Sequence, residues 1–184
     1  MAWKPANATP TLQKGAGANY QQVPDGWSAD ALIALHRDLR GTYPIGDFEI
    51  DGRFPRHEWR RYREILMRLS DGIRAGDLAC SEIAVRFIER HFIGSGSGYL
   101  RSRLARALRV TELSKDHRAR LNAHFLTIVR QQAYTCEFRD YLRIWELITT
   151  PEVVDQVVAL YRERAEVSAP AWLGKLVAAA ERRD

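Results

Sequence analysis

From Trp27 onward the apolar residues return every three or four positions, the period of a helix that buries one face. Leu32, Leu35 and Leu39 form the first stripe, opened by Ser28 as an N-cap and closed by Gly41. Trp59, Tyr62, Leu66, Leu69 and Ile73 form the second, with Pro55 in its first turn. A third carries Ile83, Phe87, Ile88 and His91 and stops at Gly94. After the run Gly94-Ser95-Gly96-Ser97-Gly98, in which Ser97 is placed to cap the next helix, Leu100, Leu104 and Leu108 mark a fourth. Ser114 caps a fifth through Leu121, Phe125, Ile128 and Val129, and Thr135 opens a sixth through Phe138, Leu142, Trp145 and Ile148. Thr150-Pro151-Glu152 is a strong start signal for a seventh helix, with a cap, a first-turn proline and an acid at the positive dipole end. Ala169-Pro170 starts the last, through Trp172, Leu173, Leu176 and Val177.

These stripes predict an all-α protein of about eight helices. Short links make consecutive helices antiparallel neighbours. The last four read as two stacked hairpins, close in length to α-solenoid units of roughly 40 residues. No internal sequence repeat joins the two hairpins, so an irregular bundle and a short solenoid-like array both stay open. Residues 1–26, rich in Pro and Gly without hydrophobic period, read as a flexible arm, and 27–184 as a single helical domain. Residues 42–54 interrupt the pattern. Phe48 and Ile50 alternate with acids before Asp51-Gly52, which predicts a short β-hairpin at 47–54 or a loop pinned by Phe48 and Phe54.

Composition narrows the class. A chain of 184 residues, 46% hydrophobic, has enough apolar side chains for a core without metal or disulfide staples. Cys80 and Cys136 both lie in apolar helical pattern and are expected in the core as reduced thiols. No secretory leader is legible near Met1, and no run reaches the ~18 apolar residues of a membrane span. A cytoplasmic protein without membrane contact is the expectation.

Charge adds the best functional lead. The net charge of +5 is concentrated: residues 53–63 carry a net +4 and residues 94–120 a net +5, over an otherwise acidic body. Arg56, Arg60 and Arg63 recur at helical spacing, as do Arg103, Arg106 and Arg109. Such stripes attract phosphate backbones when they are not simply a solvated helix face neutralised by nearby acids. Gly96 and Ser97 at a helix start, with Arg101 and Arg103 following, form an anion-site candidate, although no P-loop Lys-Ser/Thr follows the glycines. Tyr134, Arg139 and Tyr141 fit a protein-interface cluster if the tyrosines are exposed.

Catalytic signatures are missing. His36-Arg37-Asp38-Leu39 resembles the start of a kinase catalytic loop, but Tyr43 stands where its metal-binding Asn belongs and only 35 residues precede it. The five histidines show no zinc spacing, and no nucleophile elbow occurs. The expected function is therefore a non-enzymatic helical adaptor with a protein partner, needing no metal or cofactor. Nucleic-acid association through the Arg stripes ranks second, and a small-anion binder or enzyme centred on residues 94–103 third.

Overall fold

The computed structural model describes residues 23–46, 57–92, 96–163 and 170–182. Within them are eight α-helices and no strand: α1 (Ala29–Asp38), α2 (His57–Arg74), α3 (Leu78–Arg90), α4 (Ser97–Leu108), α5 (Lys115–Gln131), α6 (Phe138–Ile148), α7 (Pro151–Glu163) and α8 (Ala171–Glu181). The hairpin expected at 47–54 and most of the arm expected at 1–26 lie outside the described residues. No described helix is long and apolar enough to cross a membrane.

The predicted caps form where their chemistry dictates. The Ser28 hydroxyl accepts the Ala31 amide at 3.1 Å, and the Ser114 hydroxyl accepts the His117 amide at 3.1 Å. Several ends shift for tertiary reasons. The first helix closes in a Schellman pattern, with the Arg40 amide donating to Arg37 and the Gly41 amide to His36. Here the left-handed residue is Arg40 (φ 59°), not the glycine. Gly41 makes room for a side chain instead, since a Cβ there would stand 2.0 Å from His36 Nε2. The third helix ends at His91 (φ 47°), short of Gly94. Gly96 (φ 73°) rather than Ser97 precedes α4, and Ser97 becomes its first helical residue. The sixth helix starts at Phe138 instead of Thr135, and its N-cap Glu137 makes no side-chain cap because its carboxylate is engaged elsewhere.

The end of α2 and the start of α3 share one residue. The Gly76 amide bonds Ile73, and the Asp77 amide bonds Gly72, closing a second Schellman motif around Gly76 (φ 86°). Asp77 then accepts the Cys80 amide at 2.9 Å as the N-cap of α3.

Helices meet in a regular order. The odd-numbered helices adjoin as α1–α3–α5–α7 and the even-numbered as α2–α4–α6–α8. Cross-contacts join α1 to α2, α2 to α3, α3 to α4, α5 to α6 and α7 to α8. Arg63 lies near Gly96, Arg103 bonds Asp71, and the Thr111 hydroxyl reaches the Ile73 carbonyl, so α2 and α4 run parallel. Between the two rows lies one continuous cluster of buried residues drawn from every helix. Its large members include Leu66, Phe87, Leu104, Phe125, Tyr141 and Trp145, none more than 1% exposed. Phe125 stacks on Tyr141 with ring centroids 5.1 Å apart.

Candidate functional site

The parallel placement of α2 and α4 brings the two arginine clusters to the same pair of helices. On α2, Arg60, Arg63, Met67, Asp71 and Arg74 fall on one stripe at three- and four-residue steps. Arg63 packs over the Trp59 ring, 4.7 Å from its centroid, and lies 4.0 Å from where a Cβ on Gly96 would stand. Arg103 of α4 reaches back to Asp71 at 3.1 Å, where it meets Arg74, also 3.1 Å away. Arg106 faces Asp140 of α6 at 3.9 Å, and Arg143 bonds the same aspartate at 3.4 Å. Arginines therefore outnumber the acids Asp71 and Asp140 along a ridge crossing α2, α4 and α6. One cluster between α3 and α5 is richer in acids: Glu82, Glu89 and Asp116 gather around Arg120, with Arg86 and His117 also on Glu82. Burial works to raise the Glu82 carboxyl, but the His117 and Arg86 hydrogen bonds and the Arg120 charge outweigh it and hold it down to about 2.

Not every expected site residue reaches this surface. Arg60, Arg106 and Arg109 are exposed, Arg63 and Arg103 half-buried, and Arg56 lies outside the described residues. Arg101 corrects the expectation of a surface anion ligand. It is 2% exposed, donates from Nε to Glu137 at 2.5 Å and from a terminal nitrogen to the Phe92 carbonyl. A partner's phosphate would have to displace a carboxylate that already neutralises it. Gly96 caps α4 with no side-chain bond, and Ser97 is buried.

The tyrosine cluster also divides. Tyr134 is 42% exposed and Arg139 is exposed, but Tyr141 is fully buried against Phe125, so it belongs to the core and not to an interface. Tyr134 spends its hydroxyl on Tyr161 of α7 at 2.7 Å. The cysteines differ as well. Cys80 is buried as expected, whereas Cys136 is exposed in the turn before α6, because the helical stripe begins to face the core only at Phe138.

Two polar clusters were not legible in the sequence. The first is His36, Asp77 and Cys80, whose polar atoms lie within 4.8 Å of one another and thus at metal-binding range. Asp77 Oδ2 accepts the Thr42 amide at 2.6 Å, the Tyr43 amide at 2.7 Å and pairs with His36 Nε2 at 3.2 Å, while Oδ1 caps Cys80. Burial works against the charge, yet the amides of Tyr43, Cys80 and Thr42, with His36, keep the carboxyl well below its usual range. Burial and the Asp77 charge push the Cys80 thiol up. With three amides and His36 bonded to its carboxylate, this group is a clasp tying the α1–α2 link to the α2–α3 corner. It also gives His36 a structural role unrelated to the kinase-like string.

The second cluster surrounds Arg101. His91 and His124 lie with ring centroids 5.8 Å apart, and His124 lies 6.4 Å from the Tyr141 ring. Burial first, then the neighbouring His91 and Arg101, holds His124 down to about 3, and burial and Arg101 lower His91 too. Burial also raises the Tyr62 and Tyr141 hydroxyls. These side chains remain neutral near pH 7, and the one strong charge pair, Arg101 with Glu137, is satisfied internally. The cluster joins α4 to the start of α6 and the end of α3.

Among known proteins, no family model, no curated sequence and no solved structure matches this chain, and the surface has to be read from its own chemistry.

Proposed function

We propose that this protein is a non-enzymatic binding protein, a short α-solenoid forming a single domain, that presents the surface of its even-numbered helices to an acidic macromolecular partner. The solenoid reading is supported by the two separate rows of helices, α1–α3–α5–α7 and α2–α4–α6–α8. The cytoplasm suits an exposed reduced thiol such as Cys136. One observation carries the functional reading: parallel packing of α2 on α4 merges two arginine clusters, separate in sequence, into one ridge facing outward with Arg60, Arg106 and Arg109 exposed. Arginine forks suit carboxylate as well as phosphate, so a protein partner rich in Asp and Glu meets this chemistry. Nucleic acid is the second reading, favoured by Tyr99, 52% exposed on α4, and by Trp59 beside Arg63, since aromatics among arginines offer stacking surfaces to bases.

Fluorescence anisotropy separates the two. Labelled poly-glutamate and a single-stranded oligonucleotide of matched length are titrated with the protein at increasing salt. Either probe should bind with an affinity that falls as salt rises. The combined charge reversal Arg60→Glu, Arg106→Glu and Arg109→Glu should weaken it at least tenfold. Preference for poly-glutamate supports the adaptor, and preference for the oligonucleotide supports the second reading. Affinity unchanged in the triple variant would overturn both.

A further inference from the structure

The ridge ends in a depression of different character. It lies where the end of α4, the 109–114 link and the first turns of α5 meet the last turn of α6. Leu113, Ile144 and Ile148 form its apolar floor, all at most 6% exposed. Leu147 stands at its edge 46% exposed, and Val110, next to the lining residues Arg109 and Thr111, is 66% exposed. Exposed apolar side chains of this size beside a concave apolar floor mark a place where a partner removes area from water.

The charges around it are unequal. Arg109 and Arg118 line the depression, with Glu112 as the one acid among the lining residues. Arg118 is anchored by its Nε to the Leu113 carbonyl at 3.0 Å, which fixes the rest of its guanidinium at the rim. Arg109 has no acidic partner among the described residues. Arg143 sits one turn before Leu147 on the same face of α6, so the ridge leads directly into the depression. A phosphate backbone has nothing to place against the exposed Leu147 and Val110. A peptide has.

We infer that this depression at the α4–α5 turn and the end of α6 docks an acidic protein segment through one large aliphatic or aromatic anchor, with flanking carboxylates on Arg109 and Arg118. This rests on the reading of the ridge as a surface for acidic partners and names the element that selects protein. The anchor lies against the exposed Leu147 at the edge of Leu113, and the carboxylates meet the arginine forks at the rim.

A displayed library of random twelve-residue peptides, panned against the full chain, tests it. Selected sequences should be enriched in Asp and Glu around a Leu, Ile, Phe or Trp. A synthesised, labelled representative should bind Leu147→Asp at least tenfold more weakly, and its Leu-to-Ala anchor variant should bind the wild type equally poorly. Leu147 is exposed, so Leu147→Asp is expected to fold, and an unchanged far-ultraviolet spectrum and melting temperature check that. Arg109→Glu should shift the selection away from acidic residues. Selected peptides that are acidic, depend on Arg60 and Arg106, and ignore Leu147→Asp would overturn the docking site while leaving the ridge intact. Selection of no acidic peptides would overturn both.

Discussion

The buried pair Arg101–Glu137 offers the sharpest test of how this fold is held together. Both side chains are at most 2% exposed, and Glu137 supplies the only carboxylate bonded to Arg101 among the described residues. Glu137→Gln removes the charge while keeping the shape, and leaves a guanidinium in the interior with only neutral acceptors, the Phe92 carbonyl and the new amide oxygen. Breaking one side of a buried pair costs about 3–5 kcal/mol, and the amide, which still accepts a hydrogen bond, places this change near 3 kcal/mol. Against a total stability of roughly 5–15 kcal/mol that is a large share. For a chain of this size it lowers Tm by on the order of 6–12 °C. Replacing both partners by Arg101→Met and Glu137→Leu should recover most of the loss, because neither charge then remains to be solvated. Urea unfolding followed by tryptophan fluorescence, with Trp145 fully buried as an internal reporter, measures all three proteins.

The same pair predicts a pH signature. Burial works to raise the Glu137 carboxyl, but the Arg101 charge and hydrogen bonds hold it below its ordinary value. A carboxyl lowered on folding contributes stability above its unfolded value of about 4.3, and that contribution disappears as pH falls through the folded value. The gap between wild type and Glu137→Gln is therefore widest near neutral pH and closes in acid. A single variant within about 1 kcal/mol of wild type at pH 7, or a double variant no better than the single, would show that no uncompensated charge is left buried.

Three further outcomes rest on the packing. Gly72→Ala places a Cβ 2.4 Å from Cys80 Sγ and 3.1 Å from the Tyr43 ring, so it should destabilise by about 1–3 kcal/mol in thermal melts, and Cys80→Ala in the same chain should recover part of it; strictly additive losses would count against the contact. Asp77→Ala strips the acceptor from the amides of Thr42, Tyr43 and Cys80, for about 2–4 kcal/mol in total, and hydrogen exchange at those amides should accelerate ahead of global unfolding. Because the Asp77 carboxyl is lowered in the fold, wild type should lose this contribution as pH falls through its folded value. With an aromatic disulfide reagent, Cys136 should react in the native protein and Cys80 only on unfolding, and the Cys136 rate should keep rising above the usual thiol range because Glu137 pushes that thiol up; equal native rates for both thiols would contradict the structure.

Chain and fold correspond unevenly. Local chemistry was enough for the helices. Apolar stripes such as Tyr62, Leu66, Leu69 and Ile73 are buried as their spacing requires, and Ser28 and Ser114 cap the amides three residues ahead. These features depend only on neighbours within one turn, which a sequence displays directly. Helix ends were less legible where a distant group intervenes. Gly41 is small because the His36 ring lies against it, and Glu137 leaves its helix uncapped because Arg101 takes the carboxylate.

The surface divided in the same way. Residue order alone shows that arginines gather in two segments and that helical spacing aligns Arg60 with Arg63, and Arg103 with Arg106. It leaves Arg101 as one more cation near them and Tyr141 as a candidate contact, because turning a residue inward or outward depends on which helices stand beside it. Packing of the helices is what sets α2 parallel to α4, joins the two clusters in one ridge, and turns Arg101 and Tyr141 into the interior. It also brings Leu113 and Ile144 together from segments far apart in the chain, a juxtaposition that no local period encodes, because pairwise contacts across long sequence separations are set by the packing of whole faces.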